Sequence, residues 1–353
     1  MTKTILVMAG GTGGHIFPGL AVADLLKRRG WDVVWMGSPD GMEAELVSAH
    51  GYRFAPVRFS GLRGKSLLSK FFLMFSLIRA CWCARKEIQR IRPDAVLGMG
   101  GYASFPGAIM AVLRGCPLLI HEQNSIPGLA NKILAKFASR VLSGFPNVFP
   151  GKGEWVGNPV RHEITRLAEP EERFAGRSLQ MRLLVLGGSL GSEAINEIVP
   201  KGLGLLARAE RPFVIHQSGE KHLKKLEENY KAAGVEATCV AFIEDMAGAY
   251  EWADLVLCRA GALTIAELAA AGVASVLVPF PHAVDDHQTS NARFLSMAGG
   301  AILLPQEKME PGSISLIRNY TRSQLLQIAE KARLQARPDA ARRVADICEE
   351  CAR

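Results

Sequence analysis

Two glycine-rich turns, each between an apolar run and an amphipathic stretch, are the segments best suited to bind a ligand. The first, residues 10–15 (GGTGGH), lacks the Gly-Lys-Ser/Thr ending of a P-loop, and Ile16 stands where a dinucleotide fingerprint needs Gly or Ala. A turn without side chains lets a ligand or a phosphate approach the N–H groups at a helix N-terminus closely. His15 adds an ionisable imidazole there, which makes it a candidate general base.

The second turn, residues 187–191 (GGSLG), permits two interpretations. It matches Gly-x-Ser-x-Gly, the nucleophile elbow of serine hydrolases, with Ser189 as the nucleophile. The acid and base would then come from Asp254, His282, Asp285 and His287. Alternatively, Ser189 and the N–H groups of the next helix bind a phosphate. Because the strand, glycine turn and helix occur twice, we favour two ligand-binding domains over one hydrolase sheet.

Three further segments place polar side chains after apolar runs. In residues 258–267, Thr264 and Glu267 lie three positions apart on one helical face, and Glu267 either interacts with the helix dipole or accepts hydrogen bonds from sugar hydroxyls. Residues 279–291 and residues 121–124 (HEQN) are rich in hydrogen-bonding groups that suit a hydroxyl-rich ligand. We interpret Asp285 and Asp286 as helix-start groups, so the sequence predicts neither a metal nor a cofactor.

The order of the apolar runs predicts two α/β domains. The runs are residues 4–9, 33–36, 95–99, 118–121 and 141–144, then 182–186, 213–217, 238–242, 255–258, 275–279 and 301–304. Runs that are apolar on both faces and alternate with helices are typical of parallel sheets covered on both sides. We therefore expect two Rossmann-like domains facing each other across a cleft, residues 1–161 and 162–338, with helix 339–353 packing back on the first.

The basic charge of the chain is concentrated in one segment. Residues 58–92 contain nine of the 42 basic and one of the 34 acidic side chains, which accounts for the net charge of +8. Phe71, Phe75, Ile78 and Trp82 recur there at helical spacing. The segment is either a core-facing helix or a helix lying on an anionic leaflet, and we favour the membrane surface over nucleic acid, for which no motif is present.

No targeting or membrane-spanning segment is expected from the sequence. Residues 4–9 are too short for a signal peptide, and the apolar run 71–78 is too short to cross a bilayer. Seven scattered cysteines are typical of a reducing cytosol rather than of a disulfide framework.

Taken together, these motifs resemble those of the bacterial peptidoglycan N-acetylglucosaminyltransferases of glycosyltransferase family 28. The matching segments are residues 10–18, 60–64, 98–102, 121–124, 157–161, 187–191, 258–267 and 287–291, in the order that the family has them. Two residues depart from the family pattern in the donor-binding segments. Leu190 stands where many members carry Gln, and Ala260 stands where many carry Ser.

The resemblance implies a GT-B fold and an inverting transfer of GlcNAc from UDP-GlcNAc to the C4 hydroxyl of MurNAc in lipid I, the undecaprenyl-linked acceptor, giving lipid II. It implies that the second domain binds the nucleotide: Ile243 and Arg161 at the uracil, Ser189 at the diphosphate, Glu267 at the ribose and Gln288 at the GlcNAc. It also implies further contacts to UDP-GlcNAc from Thr12, Gly13, Gly14, Asn124, Ala262, Leu263, Thr264, Ile265 and Ala266.

The resemblance also implies where the enzyme works. His15 is the first candidate for the base that deprotonates the acceptor, and Asn124 is the next. The protein would be peripheral on the cytoplasmic face of the inner membrane, with Phe71, Phe75, Ile78 and Trp82 touching the anionic surface. Its further partners would belong to the cell-wall and division machinery.

Overall fold

The computed structural model describes residues 2–59, 67–102, 104–177, 180–188 and 191–352, and leaves the side chains of residues 67–74 undescribed. The chain forms two compact units. The first comprises Met1–Arg161 together with Pro338–Arg353, and the second comprises His162–Arg337.

The first unit is built on a seven-stranded parallel sheet with the strand order β3-β2-β1-β4-β5-β6-β7. Its strands are β1 (Thr4–Ala9), β2 (Asp32–Gly37), β3 (Arg53–Pro56), β4 (Ala95–Gly100), β5 (Leu118–Glu122), β6 (Arg140–Ser143) and β7 (Glu154–Trp155). Its first helices are α1 (Gly13–Arg28), α2 (Met42–Ala49), α3 (Leu67–Ile91), α4 (Ser104–Leu113) and α5 (Leu129–Leu134).

The second unit is built on a six-stranded parallel sheet with the order β10-β9-β8-β11-β12-β13. Its strands are β8 (Arg182–Leu186), β9 (Phe213–Gln217), β10 (Thr238–Val240), β11 (Leu255–Cys258), β12 (Ala274–Leu277) and β13 (Ile302–Leu303). Its helices are α6 (His162–Thr165), α7 (Pro170–Phe174), α8 (Glu193–Gly204), α9 (Leu223–Ala233), α10 (Met246–Trp252), α11 (Ala262–Ala271), α12 (His287–Met297), α13 (Pro311–Ser315) and α14 (Arg322–Arg333).

The last helix, α15 (Ala340–Cys351), packs against α1 and β4 of the first unit. Val344, Ile347 and Cys348 are fully buried in the same apolar cluster as Val7 and Trp35. At the surface, Glu349 accepts hydrogen bonds from Arg29 at 2.8 Å and from the indole of Trp31 at 3.1 Å. The helix therefore completes one face of the first sheet.

Both faces of the central strands are buried, which explains their continuous apolar sequence. Along β1, Ile5 and Val7 point into one cluster, whereas Leu6 and Met8 point into the other, beside α3 and α4. A strand has a side-chain period of two, so a strand covered on both sides needs apolar residues at every position. The predicted α/β fold with two parallel sheets is confirmed, although β3 and β7, which are short and partly exposed, were not predicted.

Each sheet has one point at which the strand order reverses direction. In the first unit this point lies between β1 and β4, and in the second it lies between β8 and β11. Open parallel sheets bind ligands at this switch point, beyond the carboxyl ends of the strands. Both glycine-rich turns, residues 10–15 after β1 and residues 187–191 after β8, lie at these positions.

Candidate functional site

A buried carboxylate accepts a backbone hydrogen bond from the glycine turn of the first unit. The turn runs into α1, which has Thr12 as its N-cap and therefore contains His15 in its first turn. Gly11, at a φ of +92°, donates its N–H to Oε2 of Glu43 at 3.3 Å, and Oε1 of Glu43 accepts the N–H of Ser38 at 2.9 Å. Glu43 is 1% exposed and comes from α2, so no pattern around the turn itself could have indicated it.

A second pair of glycines, at the end of β4, packs directly on this turn. A Cβ on Gly101 would lie 2.1 Å from the carbonyl oxygen of Gly10, and a Cβ on Gly100 would lie 3.0 Å from Nδ1 of His15. Both glycines also have positive φ, +97° at Gly100 and +84° at Gly101, which other residues rarely adopt. The contact between the two turns therefore depends on glycine at both positions.

His15 is joined to the end of β5 by a chain of hydrogen bonds. Its Nδ1 lies 2.8 Å from Oε1 of Gln123, and Nε2 of Gln123 lies 3.2 Å from Nδ1 of His121. The other nitrogen of His121, Nε2, lies 2.9 Å from the carbonyl oxygen of Gly157. Complete burial lowers the pKa of His121 to about 4, so its ring is neutral at pH 7.

Asn124, the second catalytic candidate, is positioned by the neighbouring carboxylate. Oε1 of Glu122 accepts the backbone N–H of Asn124 at 3.0 Å and its side-chain amide at 3.3 Å. Oε2 of Glu122 accepts from the N–H of Gly128 at 3.1 Å and from the amide of Asn131 at 2.8 Å. Glu122 is 3% exposed, and each of its carboxylate oxygens accepts two hydrogen bonds, so it orders the segment that carries Asn124.

In the second unit, the glycine turn after β8 is also in close contact with its neighbours. Gly188 and Gly191 have φ angles of +86° and +79°, and a Cβ on Gly191 would lie 2.0 Å from the carbonyl oxygen of Ser218. The turn leads into α8, with Ser192 as its N-cap. Two residues of this turn lie outside the described residues: Ser189, which is predicted to contact the diphosphate, and Leu190, which departs from the family pattern.

Arg259 brings a positive charge to the same switch point. One guanidinium nitrogen donates to the carbonyl oxygens of Val278 and Pro279, and the other donates to Oγ of Ser192 at 2.7 Å and to Oε1 of Gln306 at 2.6 Å. All four acceptors are neutral, and no described carboxylate forms an ion pair with this guanidinium. Burial lowers the pKa of Arg259, but a guanidinium is not deprotonated in proteins, so a net charge stays beside the glycine turn.

Two predicted donor-binding residues after β11 are held in fixed orientations. The buried Glu267, on α11, accepts a hydrogen bond at Oε2 from the phenol of Tyr250 at 3.1 Å. Gln288, on α12, accepts the N–H groups of Ala260 at 3.3 Å and Phe280 at 2.9 Å through Oε1. The amide nitrogen of Gln288 is then the group that can donate to a ligand.

The structure places the remaining predicted residues as follows. Ala262, Leu263 and Thr264 form the first turn of α11, followed by Ile265 and Ala266. This end of the helix carries a partial positive charge, and no acidic residue lies in its first turn. Ile243, partly buried, follows β10 in the second unit. Arg161 belongs to the first unit, where its guanidinium lies 5.6 Å from the ring centre of Phe17.

The hydrolase interpretation of residues 187–191 loses one of its two candidate acids, Asp254. Asp254 is completely buried and binds Arg177, Arg322 at 3.0 Å and the N–H of Arg182 at 2.9 Å. It immediately precedes β11, whereas the turn follows β8, and these strands are parallel. Asp254 therefore lies at the opposite edge of the sheet, where it neutralises arginines. Asp285 and Asp286, at φ of +53° and +51°, immediately precede α12.

The described part of α3 presents two different faces. Ala80, Ala84 and Ile88 are buried against the sheet. Phe75, Ile78 and Trp82 lie on the other face and are 60%, 60% and 57% exposed, so the core-facing interpretation is wrong for these three residues. Lys86 lies 3.5 Å from the ring centre of Trp82, and Arg79 and Arg85 are exposed beside them. The side chain of Phe71 lies outside the description. Among the described residues, no helix is long and apolar enough to cross a membrane.

The chain has two parallel-sheet units, each with a glycine turn and hydrogen-bonding side chains at its switch point, and the family and structural matches below assign it to the glycosyltransferases of the GT-B type. The chain belongs to glycosyltransferase family 28, whose N-terminal domain matches residues 5–143 and whose C-terminal domain matches residues 182–349.

Two curated relatives match essentially end to end. A protein of Dechloromonas aromatica is 62% identical, with complete coverage of both chains. A protein of Ralstonia nicotianae is 56% identical, with 100% of this chain and 98% of the relative covered. Both are named UDP-N-acetylglucosamine--N-acetylmuramyl-(pentapeptide) pyrophosphoryl-undecaprenol N-acetylglucosamine transferase.

Solved structures agree with this family assignment. The crystal structure of Acinetobacter baumannii MurG superposes with a TM-score of 0.85 at 37% identity, covering 99% of each chain. The glycotransferase of kitacinnamycin superposes with a TM-score of 0.72 at 16% identity, over 100% of each chain, which shows a shared fold.

Proposed function

We propose that this protein transfers GlcNAc from UDP-GlcNAc to the C4 hydroxyl of MurNAc in lipid I, giving lipid II for peptidoglycan synthesis, with inversion at the anomeric carbon. The observation that carries the proposal is the likeness of the whole chain, 62% identical over 353 residues, to a transferase named for this donor and acceptor. Hydrogen-bonding side chains at the switch points of both units, and the positive charge of Arg259 in the second, support the proposal.

The second unit is proposed as the donor domain. Glu267, oriented by Tyr250, accepts hydrogen bonds from the ribose hydroxyls, and the amide nitrogen of Gln288 donates to the GlcNAc. Negative charge develops on the diphosphate as the sugar leaves. Arg259, the N-terminus of α11 and Ser189 are proposed to stabilise that charge, because preorganised donors and fixed positive charge act most strongly in a site shielded from water.

The first unit is proposed as the acceptor domain. His15 removes the proton from the C4 hydroxyl as this oxygen attacks the anomeric carbon on the face opposite to the departing UDP. Asn124 and residues 12–14 contact the sugar, and the contacts of Glu43 and Glu122 keep these two segments in place.

The exposed face of α3 is proposed to lie on the cytoplasmic surface of the inner membrane. Three large apolar side chains surrounded by exposed lysine and arginine match the requirements of an anionic leaflet, in which apolar groups enter the interface and cations meet the headgroups. A peripheral attachment of this kind would keep the enzyme beside an acceptor whose lipid chain stays in the bilayer.

The test of the function is release of UDP from UDP-GlcNAc by the purified protein, with and without a lipid I analogue. We expect release only with the analogue, together with a disaccharide product whose new linkage is β-1,4.

A binding experiment tests the proposed role of Arg259 at the diphosphate. UDP should bind more weakly to Arg259→Gln than to the control variant Arg208→Gln, because Arg208 lies on the surface, paired with Glu236. A protein that neither binds UDP-GlcNAc nor transfers its sugar contradicts the proposal.

A further inference from the structure

The hydrogen-bond chain behind His15 determines which nitrogen of each ring carries a proton. It begins at the carbonyl oxygen of Gly157, which can only accept. The atom that faces it at 2.9 Å, Nε2 of His121, must therefore carry the hydrogen. Because the buried ring of His121 is neutral, with its pKa lowered to about 4, its other nitrogen, Nδ1, is left with a lone pair.

The same logic fixes the side-chain amide of Gln123. The lone pair of His121 Nδ1 needs a donor, and the atom of Gln123 that lies 3.2 Å away is its amide nitrogen, Nε2. That nitrogen also lies 3.4 Å from the carbonyl oxygen of His121, which again requires a donor. A flipped amide would place two acceptors face to face at both positions. The oxygen of Gln123 is thereby directed toward His15.

The last link is the contact of Gln123 Oε1 with Nδ1 of His15 at 2.8 Å. An amide oxygen can only accept, so Nδ1 of His15 carries the hydrogen. In the neutral ring, Nε2 then holds the lone pair, and no described group forms a hydrogen bond with it.

We infer that Gln123 and His121 are positioning residues that hold His15 in the Nδ1–H tautomer, so that Nε2 is the atom that accepts the proton of the substrate hydroxyl. The inference rests on the proposed function, in which His15 is the base. In the reaction, the proton moves from the attacking hydroxyl to Nε2 while Nδ1–H stays bonded to Gln123, and the resulting imidazolium is stabilised by the amide oxygen.

The surroundings make this arrangement rigid. Gln123 is 1% exposed and His121 is fully buried, and the carbonyl oxygen of Gln123 accepts the amide of Asn158 at 3.0 Å. Gly100 closes the other side of the His15 ring, because even a single added methyl group would come within 3.0 Å of Nδ1. A buried polar group that is left without its partner destabilises the fold, so the alternative tautomers are disfavoured.

The charged groups that the structure describes on the elements around this ring have other contacts. Glu43 of α2 binds the N–H of Gly11, Glu122 of β5 binds the segment that carries Asn124, and Arg161 lies on Phe17 of α1. A change in the pH profile after substitution of Gln123 alone would therefore report on the contact between Gln123 and His15.

The direct test is a long-range ¹H–¹⁵N correlation spectrum of the full chain labelled with [¹⁵N]histidine, with His15 assigned from its loss in His15→Gln. We expect His15 to be protonated at Nδ1 and His121 at Nε2. A His15 ring protonated at Nε2 overturns the inference. This measurement needs neither substrate nor turnover, so it stands even if lipid I proves not to be the acceptor.

The kinetic test compares two substitutions of Gln123. Gln123→Met has similar length but cannot accept from Nδ1, so kcat should fall at least about 10-fold with little change in donor KM, since a ring in the wrong tautomer is a poor base. Gln123→Glu keeps the acceptor for Nδ1 of His15 but removes the donor to His121, so kcat should fall less than in Gln123→Met. The acidic limb of kcat/KM should move to higher pH, because a carboxylate beside Nδ1 favours the imidazolium.

The control is Gln327→Met, at an exposed position of α14, which should leave both quantities unchanged. If folded Gln123→Met keeps a kcat within about twofold of the original, or if Gln123→Glu leaves the acidic limb in place, Gln123 does not position His15. Should Gln123→Met fail to fold, the tautomer spectrum and Gln123→Glu decide the question.

Discussion

The phenol of Tyr250 donates a hydrogen bond to Oε2 of Glu267 at 3.1 Å, and the two side chains are 0% and 5% exposed. Tyr250 lies on α10 and Glu267 on α11, so the bond links two helices. The backbone oxygen of Tyr250 also accepts from the buried Arg173 at 3.1 Å. The carboxylate that is proposed to bind ribose is thus held by a residue that need not touch the ligand.

This relationship predicts a graded effect on donor binding. Glu267→Ala should raise the donor KM strongly and kcat little, because it removes the ribose acceptor. Tyr250→Phe should raise the same KM by roughly 5- to 150-fold, the equivalent of about 1–3 kcal/mol for a buried hydrogen bond. Initial rates at varied UDP-GlcNAc give both values. The control is Tyr320→Phe in the same unit, and an unchanged KM in Glu267→Ala would contradict the ribose role.

Loss of the base should lower the chemical step alone. His15→Ala is expected to reduce kcat by roughly 10²-fold or more, the usual contribution of general base catalysis, while UDP-GlcNAc binding stays close to that of the original protein. Single-turnover rates and calorimetric titration with the donor separate the two effects. His50→Ala, at an exposed position on α2's C-terminal end, is the matched control. A near-original rate in His15→Ala would move the role of base elsewhere, with Asn124 next in line.

The close approach of Gly100 to His15 predicts an unusually costly single methyl group. Gly100→Ala should lower kcat and the free energy of unfolding, because its Cβ would lie 3.0 Å from Nδ1 of His15 at a φ of +97°. Gly30→Ala separates the two causes, since Gly30 has a similar φ of +88° but open space around it. We expect both variants to lose stability and only Gly100→Ala to lose activity. Equal activity in the two variants would argue against the contact.

The exposed face of α3 predicts a loss of membrane binding without a loss of chemistry. Phe75→Ser, Ile78→Ser and Trp82→Ser together should reduce binding to vesicles that contain anionic lipid, while turnover of a water-soluble acceptor is retained. Cosedimentation with vesicles measures the first and UDP release the second. The control replaces exposed apolar residues of the second unit, Leu205, Met297 and Leu334, by Ser. Undiminished vesicle binding in the α3 triple variant would exclude this face.

Two buried histidines predict how stability depends on pH. Burial lowers the pKa of His121 from 6.5 to about 4 and that of His216 from 6.5 to about 3. The unfolded chain therefore binds these protons more readily, so the free energy of unfolding should be greatest above about pH 6.5 and fall as the pH decreases toward about 4, by about 3 kcal/mol for His121. Urea unfolding across this range measures the slope. His216→Gln should flatten it, His50→Gln should not, and stability that rises on acidification would contradict the prediction.

Much of the fold was predictable because its determinants are local. A strand buried on both faces must be apolar throughout, and a turn that admits a neighbouring backbone must be glycine, so β1, β8 and their turns were evident from the residues alone. The contacts that orient the site come from distant segments. Glu43 and Tyr250 reach the site from helices whose own sequence carries no sign of it, and the orientation of the Gln123 amide depends on a carbonyl 34 positions later.

The helix α3 shows a different limit. The spacing of Phe75, Ile78 and Trp82 predicted an apolar face but not its direction, because the opposite face, with Ala80, Ala84 and Ile88, is apolar as well. Small residues allow a helix to approach a sheet closely. The face with the alanines therefore packs against the sheet, and the larger side chains lie on the exposed face. Periodicity alone does not rank two apolar faces by size.

The position of α15 has a consequence for synthesis on the ribosome. Val344, Ile347 and Cys348 cover the same face of the first sheet as Val7 and Trp35, yet about three hundred residues separate these two sets. All strands of the second unit have been translated by Leu303, and its last helix ends at Arg333. The nascent chain can therefore finish its second unit while the first still exposes part of its core. Only when the helix that follows residue 339 leaves the exit tunnel can the earliest part of the polypeptide reach its final packing.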